Sequence, residues 1–482
     1  MNRISIKRVV CVFTACAMIV TQSGVAADSE LPELGEVAQT VISAQQQRRL
    51  GETIMREIRA DRSLVRDAEI TDYINNLGYR LVAQSTSSGQ DFEFFVLRDP
   101  TLNAFALPGG FIGVHSGLIL AAQSESELAS VLAHEIAHVT QAHIARIIAK
   151  SEQSNIISMA ALALAMLAAR SNPQVTRAAV ATAQASSIQS QLDYTRDHER
   201  EADRVGLTLL QQSGFDAHAM PLFFERMLKY NRLYESNAPD YLRTHPITTE
   251  RIGDIKNRTD NVPFRFVTDS PEFSFVRAKL RAAEGSPREA LRYFEDNLRE
   301  KKYANEAAHR YGLAMALVRN RDYARAQQEL AASIKKGGLN AMSATALGDI
   351  QTAAGQTEAA AKTYRDGLQR FPRHLALTYG LAELLLQTRK SREALALIDE
   401  RIANQPRDAQ LYELKARAHA DLNQPFARHQ ALAEAYALRG NNGAAIEQLQ
   451  LALKSPGGDF YQLSGAEARL RQLQRLETPA VK

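Results

Sequence analysis

Residues 131–143 read VLAHEIAHVTQAH, three histidines and one glutamate in an otherwise apolar, helix-forming stretch. His134 and His138 are four apart, so a helix sets both imidazoles on one face, one turn apart, where they can reach a single metal ion. Glu135 lies about 100° further round. There it stands beside the ion, placed to take a proton from an attacking water. His143 follows His134 by nine residues, about 900° of helix, which is half a turn out of phase. It is expected to face away, as a surface or helix-face histidine. A longer motif, H-E-x-x-H-x-x-G-x-x-H, needs glycine at 141 and histidine at 144; Gln141 and Ile144 exclude it.

Two imidazoles do not complete a zinc site, which takes a third protein ligand and keeps a fourth position open. The stretch YTRDHEREAD at 194–203 offers candidates. Glu199 and Asp203 share a helical face, whereas Glu201 points elsewhere. Glu199 could ligate while Asp203 accepts the free N–H of a ligand imidazole. Against this stands a solvated charge lattice with Arg196, Arg200 and Arg204.

These residues need a scaffold, and 482 residues are too many for one ordinary core, so two or three domains are expected. The first 27 residues read as a signal peptide: Arg3, Lys7 and Arg8, then an apolar run, then Gly24-Val25-Ala26-Ala27. Removing residues 1–26 takes three basic residues from 58 and leaves 55 against 54 acidic ones. A nearly neutral chain gives no sign of nucleic-acid binding. Both cysteines, Cys11 and Cys16, fall inside the signal, which excludes a disulfide framework and thiol catalysis. Cleaved export implies the periplasm; the alternative is an uncleaved anchor, for which the apolar run is short.

Apolar spacings of three and four predict helices over 41–60 and 68–83. The aromatic and β-branched run at 91–98, with two apolar runs in 104–120 around Pro108-Gly109-Gly110, predicts a small sheet with a tight turn. Helices resume at Glu125 and run to about Leu210. Within them, residues 156–169 (IISMAALALAMLAA) are too few to cross a bilayer and read as a buried helix or as a segment over an active site. Beyond a loop-like stretch at 257–273, Ala326, Ala360 and Ala394 recur at 34-residue intervals. Tyr364 and Ile398 follow four residues later, and Pro372 and Pro406 twelve later. That period describes tetratricopeptide repeats, with Gly440 to Ala445 opening a final unit and the region 411–428 out of register. The fold expected is mostly α (α+β): domains at 28–265 and 266–480, the second an α-solenoid of repeats.

His134-Glu135-Ile136-Ala137-His138 followed by Glu199-Arg200-Glu201-Ala202-Asp203 resembles the paired motifs of the peptidase family containing the CAAX prenyl endopeptidase and HtpX-type proteases. Asn103 to Gly110 and Thr244-His245-Pro246 are similar to that family as well. The resemblance implies a gluzincin-like metallopeptidase fold and one zinc ion per chain, held by His134, His138 and Glu199. Glu135 would be the general base and Asp203 the support of a ligand imidazole. His245 is open to three readings: donor to the tetrahedral oxyanion, fourth zinc ligand in a latent state, or cap of a helix starting near Ile247. The strand at 104–107 could hold extended substrate backbone. A signal in front and repeats behind imply substrates among unfolded or misassembled outer-membrane proteins. The β-barrel assembly machinery is the expected partner of the repeats, with peripheral membrane contact and no nucleic acid. A non-proteolytic chaperone or adaptor with a latent site is the alternative.

Overall fold

The computed structural model describes residues 42–85, 90–150, 196–233, 241 and 245–477; residues 1–27, read as a signal peptide, and the apolar run 156–169 lie outside them. Two helices open the described chain, α1 (Ala44–Ala60) and α2 (Ala68–Val82). Ser43 and Gln46 close a reciprocal cap on the first, and the Asp67 carboxylate accepts from the Glu69 and Ile70 amides on the second. Three strands follow: β1 (Glu93–Leu97), β2 (Ala104–Leu107) and β3 (Phe111–His115), in the order β1-β3-β2. The central β3 is parallel to β1 and antiparallel to β2, which leaves β2 on the edge of the sheet. The turn before β3 uses Gly109 and Gly110 at φ +81° and +86°. A Cβ on either would strike backbone, 2.6 Å from Arg48 Cα or 2.3 Å from the Asp91 carbonyl oxygen. The apolar run to Leu120 does not extend the strand. It turns into α3 (Ser116–Ala121), where the Ser116 hydroxyl donates to the Asp99 carbonyl and Gly117 packs against Pro100.

The central helix is α4 (Glu125–Thr140), started by the Ser124 hydroxyl accepting from the Glu127 amide. All its residues from Glu125 to His138 are buried, so it runs through the interior. After it come α5 (His143–Lys150), α6 (Arg196–Gln212), α7 (Ala219–Leu233) and α8 (Thr249–Thr259). Helix α6 lies tightly along α4 at Gly206, where a Cβ would stand 3.0 Å from the His134 amide nitrogen. That close approach carries the acidic face of α6 to the histidines of α4.

Twelve helices complete the described chain as successive pairs. They are α9 (Pro271–Ala283) with α10 (Pro287–Arg299), α11 (Glu306–Arg319) with α12 (Tyr323–Gly337), and α13 (Ala341–Ala353) with α14 (Thr357–Arg370). Then come α15 (Leu375–Gln387) with α16 (Ser391–Asn404), α17 (Ala409–Asp421) with α18 (Pro425–Leu438), and α19 (Asn442–Lys454) with α20 (Phe460–Glu477). Ala326, Ala360 and Ala394 are each the fourth residue of their helix and each fully buried, which is why the 34-residue period registers in the sequence. Ala445 occupies the same place in α19, but 51 residues after Ala394 and so half a repeat out of phase. The region 411–428 nevertheless forms an ordinary helix pair. One hydrophobic core continues from Val65 on to Ile350, so α9 to α13 share their packing with the elements that precede them. Among the described residues no helix is long and apolar enough to cross a membrane.

Candidate metal centre

His134 and His138 reach inward from α4, Glu199 from the first turn of α6, and His245 from the segment ahead of α8. Each offers one ligand atom, and the four atoms lie within 4.8 Å of one another in a buried cluster. The two Nε2 atoms of His134 and His138 are 3.0 Å apart. Glu199 Oε2 is 3.5 Å from His134 Nε2, and Glu199 Oε1 is 3.4 Å from His138 Nε2 and 3.0 Å from His245 Nδ1. Imidazole nitrogens gathered round a carboxylate, away from water, suit zinc or another borderline divalent cation. Glu135 is fully buried beside them, its Oε1 3.6 Å from His245 Nε2, and neither carboxylate oxygen has a hydrogen-bond partner among the described residues. A buried carboxylate left so costs stability and calls for a functional explanation.

Asp203, one turn beyond Glu199, places Oδ1 3.0 Å from His134 Nδ1, off the ideal hydrogen-bonding direction. Arg251 of α8 grips that carboxylate through Nε and Nη2, both at 2.7 Å. Its Nη1 donates to the Pro246 carbonyl at 2.8 Å and lies 2.7 Å from Glu199 Oε2, and the guanidinium rides over the Phe224 ring. Glu199 and Asp203 are therefore not part of a solvated lattice; Arg200 instead pairs with Asp197 and Glu250 at the surface. Sequence reasoning overlooked Arg251. Its position, six residues after His245 in the first turn of α8, was the available signal. His245 is not a helix cap: Thr248 caps α8 by accepting from the Arg251 amide, and His245 is buried in the cluster.

His143 also departs from expectation. Helix α4 stops at Thr140, Ala142 adopts φ +52°, and α5 begins with His143, so the straight-helix phase does not apply. The imidazole is buried, with Nδ1 2.9 Å from His138 Nδ1 and Nε2 3.1 Å from Glu201 Oε2. Glu201 thus points towards α5, where Arg146 Nη1 donates to the same oxygen at 2.7 Å.

The charges in this cluster are strongly coupled. Burial opposes charge on His134, yet the Asp203 and Glu199 carboxylates beside it raise its pKa to about 9. Burial dominates at His138 and lowers it to about 3. Glu135 is pushed up by burial. Burial also opposes the Glu199 and Asp203 carboxylates, but His245 at the first and Arg251 at the second hold both below the usual range.

Residues 68–259 match peptidase family M48, and residues 311–374 and 351–418 match tetratricopeptide repeat families. A β-barrel assembly-enhancing protease of Escherichia coli is 33% identical over 456 residues, covering 93% of this chain and 92% of the relative. A relative in Vibrio cholerae is 34% identical over 439 residues, covering 91% and 90%. The mitochondrial metalloendopeptidase OMA1 of Schizosaccharomyces pombe is 32% identical over 219 residues, 45% of this chain and 61% of that protein.

Proposed function

Since the chain belongs to the family of β-barrel assembly-enhancing proteases, M48 metalloproteases with tetratricopeptide repeats, we propose that it promotes assembly of outer-membrane β-barrel proteins and cleaves misassembled ones in a periplasm. Residues 1–27 direct export, 28–265 carry the peptidase, and 266–480 engage the assembly machinery and its clients. The observation that carries this reading is the convergence of four buried ligand groups beside the unpartnered carboxylate of Glu135.

His134, His138 and Glu199 would hold zinc, and Asp203 supports the His134 imidazole from its far side. Bound there, zinc supplies Lewis-acid chemistry, polarising the scissile carbonyl and easing the ionisation of water. Glu135 accepts the proton on a carboxylate oxygen and returns it to the leaving amine. The edge strand β2 takes extended substrate backbone, which favours unfolded segments, and its Ala106 amide lies near enough to Glu135 to favour that carboxylate's charged form. His245, with Nδ1 3.0 Å from Glu199 Oε1, would add a fourth ligand at rest and keep the site latent.

Glu135→Gln tests the enzyme reading. It should keep zinc, measured by metal analysis, while cleavage of an unfolded outer-membrane protein falls by about 10²–10⁴-fold. Undiminished cleavage would overturn the role of Glu135. The closed cluster at His245 also favours a second reading, a chaperone whose protease is normally silent. If Glu135→Gln fully supports outer-membrane assembly in cells, that reading describes the main function. His245→Ala should raise basal cleavage if His245 holds the site shut and lower it if His245 donates to the oxyanion.

A further inference from the structure

The imidazole of His134 has a carboxylate directly behind it; that of His138 does not. Behind His138 stands a second histidine, His143, and only then the Glu201 carboxylate. We propose that His143 and Glu201 are positioning residues that fix the tautomer and ring orientation of His138, a proposal that rests on the metal reading of the site.

Hydrogen-bond polarity carries the argument. Glu201 Oε2 accepts from Arg146 at 2.7 Å, so it is a charged acceptor and not a donor. His143 Nε2, 3.1 Å away, must then carry the proton. A neutral His143 so protonated has a bare Nδ1, an acceptor, 2.9 Å from His138 Nδ1. That contact is a hydrogen bond only if His138 carries its proton on Nδ1. The proton is thereby kept off His138 Nε2, the nitrogen that faces His134 Nε2 at 3.0 Å and Glu199 at 3.4 Å. The opposite tautomer would turn an N–H towards the ion.

The backbone is shaped for this contact. On an unbroken helix His143 would stand about 140° round from His138. The break puts Ala142 at φ +52°, which disfavours a residue with a Cβ. The His198 ring stacks on His143 at 4.5 Å and 17°, which holds the inserted imidazole in its plane.

Zinc affinity of the full chain, measured by competition with a chromophoric chelator, tests the proposal, together with the visible spectrum of the cobalt-substituted protein. His143→Leu and Glu201→Gln should each weaken zinc binding about 10–100-fold. Glu201→Gln weakens it because an amide can donate to His143 and reverse the polarity of the chain. His143→Asn, with an acceptor oxygen near the Nδ1 position, should recover part of the loss, and the cobalt bands should shift in the Leu variant. Glu201→Gln, at a partly exposed position, keeps the test valid if His143→Leu fails to fold. Wild-type affinity in Glu201→Gln, and in His143→Leu where that variant folds, would overturn the relay alone. A wild-type chain that binds no zinc would overturn the metal reading and this proposal with it.

Discussion

Two buried clusters among the described residues combine histidine with glutamate, and they are built on opposite principles. At the centre of the peptidase part, His134, His138, Glu199 and His245 turn their polar atoms towards one another, and Glu135 accepts no well-formed hydrogen bond. At the junction with the repeats, Glu69 is equally buried, but each of its oxygens has its own donor. Lys279 of α9 donates to Oε2 at 2.6 Å, and His374, just ahead of α15, bonds Oε1 at 2.9 Å. Asp67 also pairs with Lys279. The junction cluster is saturated from outside, so it joins α2, α9 and the repeats and asks for nothing more. The central cluster is open inwards, an arrangement that costs stability unless something of opposite charge occupies it. Unmet need, and not residue type, separates a site from a staple.

This contrast predicts different responses to damage. Asp203→Ala leaves Arg251 buried without its bidentate partner, and should cost about 3–5 kcal/mol of stability as well as zinc affinity. Urea unfolding measures the first and chelator competition the second; a variant as stable as the parent would place the central charges among the exposed pairs of little worth. Glu69→Gln should cost less, about 1–3 kcal/mol, because Lys279 keeps Asp67. Its zinc affinity should be unchanged, and a loss would show that the two clusters are coupled.

Acid sharpens the comparison further. Burial opposes the charge of Glu69, but Lys279 and His374 bring its pKa from 4.5 down to about 2. A depressed carboxylate stabilises the fold above its unfolded value, and that contribution fades as pH falls from about 4.5 towards 2. The deficit of Glu69→Gln should therefore be full at pH 7 and narrow below about pH 4.5 in thermal melts. A neighbour behaves in the opposite sense. Asp72 is raised from 3.8 to about 6 by burial, with Asp408 and Glu69 adding to the effect. Between those values the folded chain keeps a proton that the unfolded chain has lost, so stability declines as pH rises through the window. Asp72→Asn should melt higher than the parent above pH 6 and alike below about pH 4. This is the smallest of the expected effects, and its absence would mean that Asp72 is better solvated than its position indicates.

What the sequence determined by itself was everything that depends on phase along one element. The i,i+4 spacing of His134 and His138 and that of Glu199 and Asp203 follow from 3.6 residues per turn, and the buried alanine at the fourth residue of every second repeat helix follows from a 34-residue unit. Tertiary structure decided what depends on where elements stop and what they meet. His143 returns to His138 because the chain enters the left-handed region at Ala142, with no glycine or proline there to announce it. Arg251 finds Asp203 across 48 residues, and His374 finds Glu69 across 305. Such pairs carry no local period; they exist because a buried charge must find an opposite one wherever packing brings it.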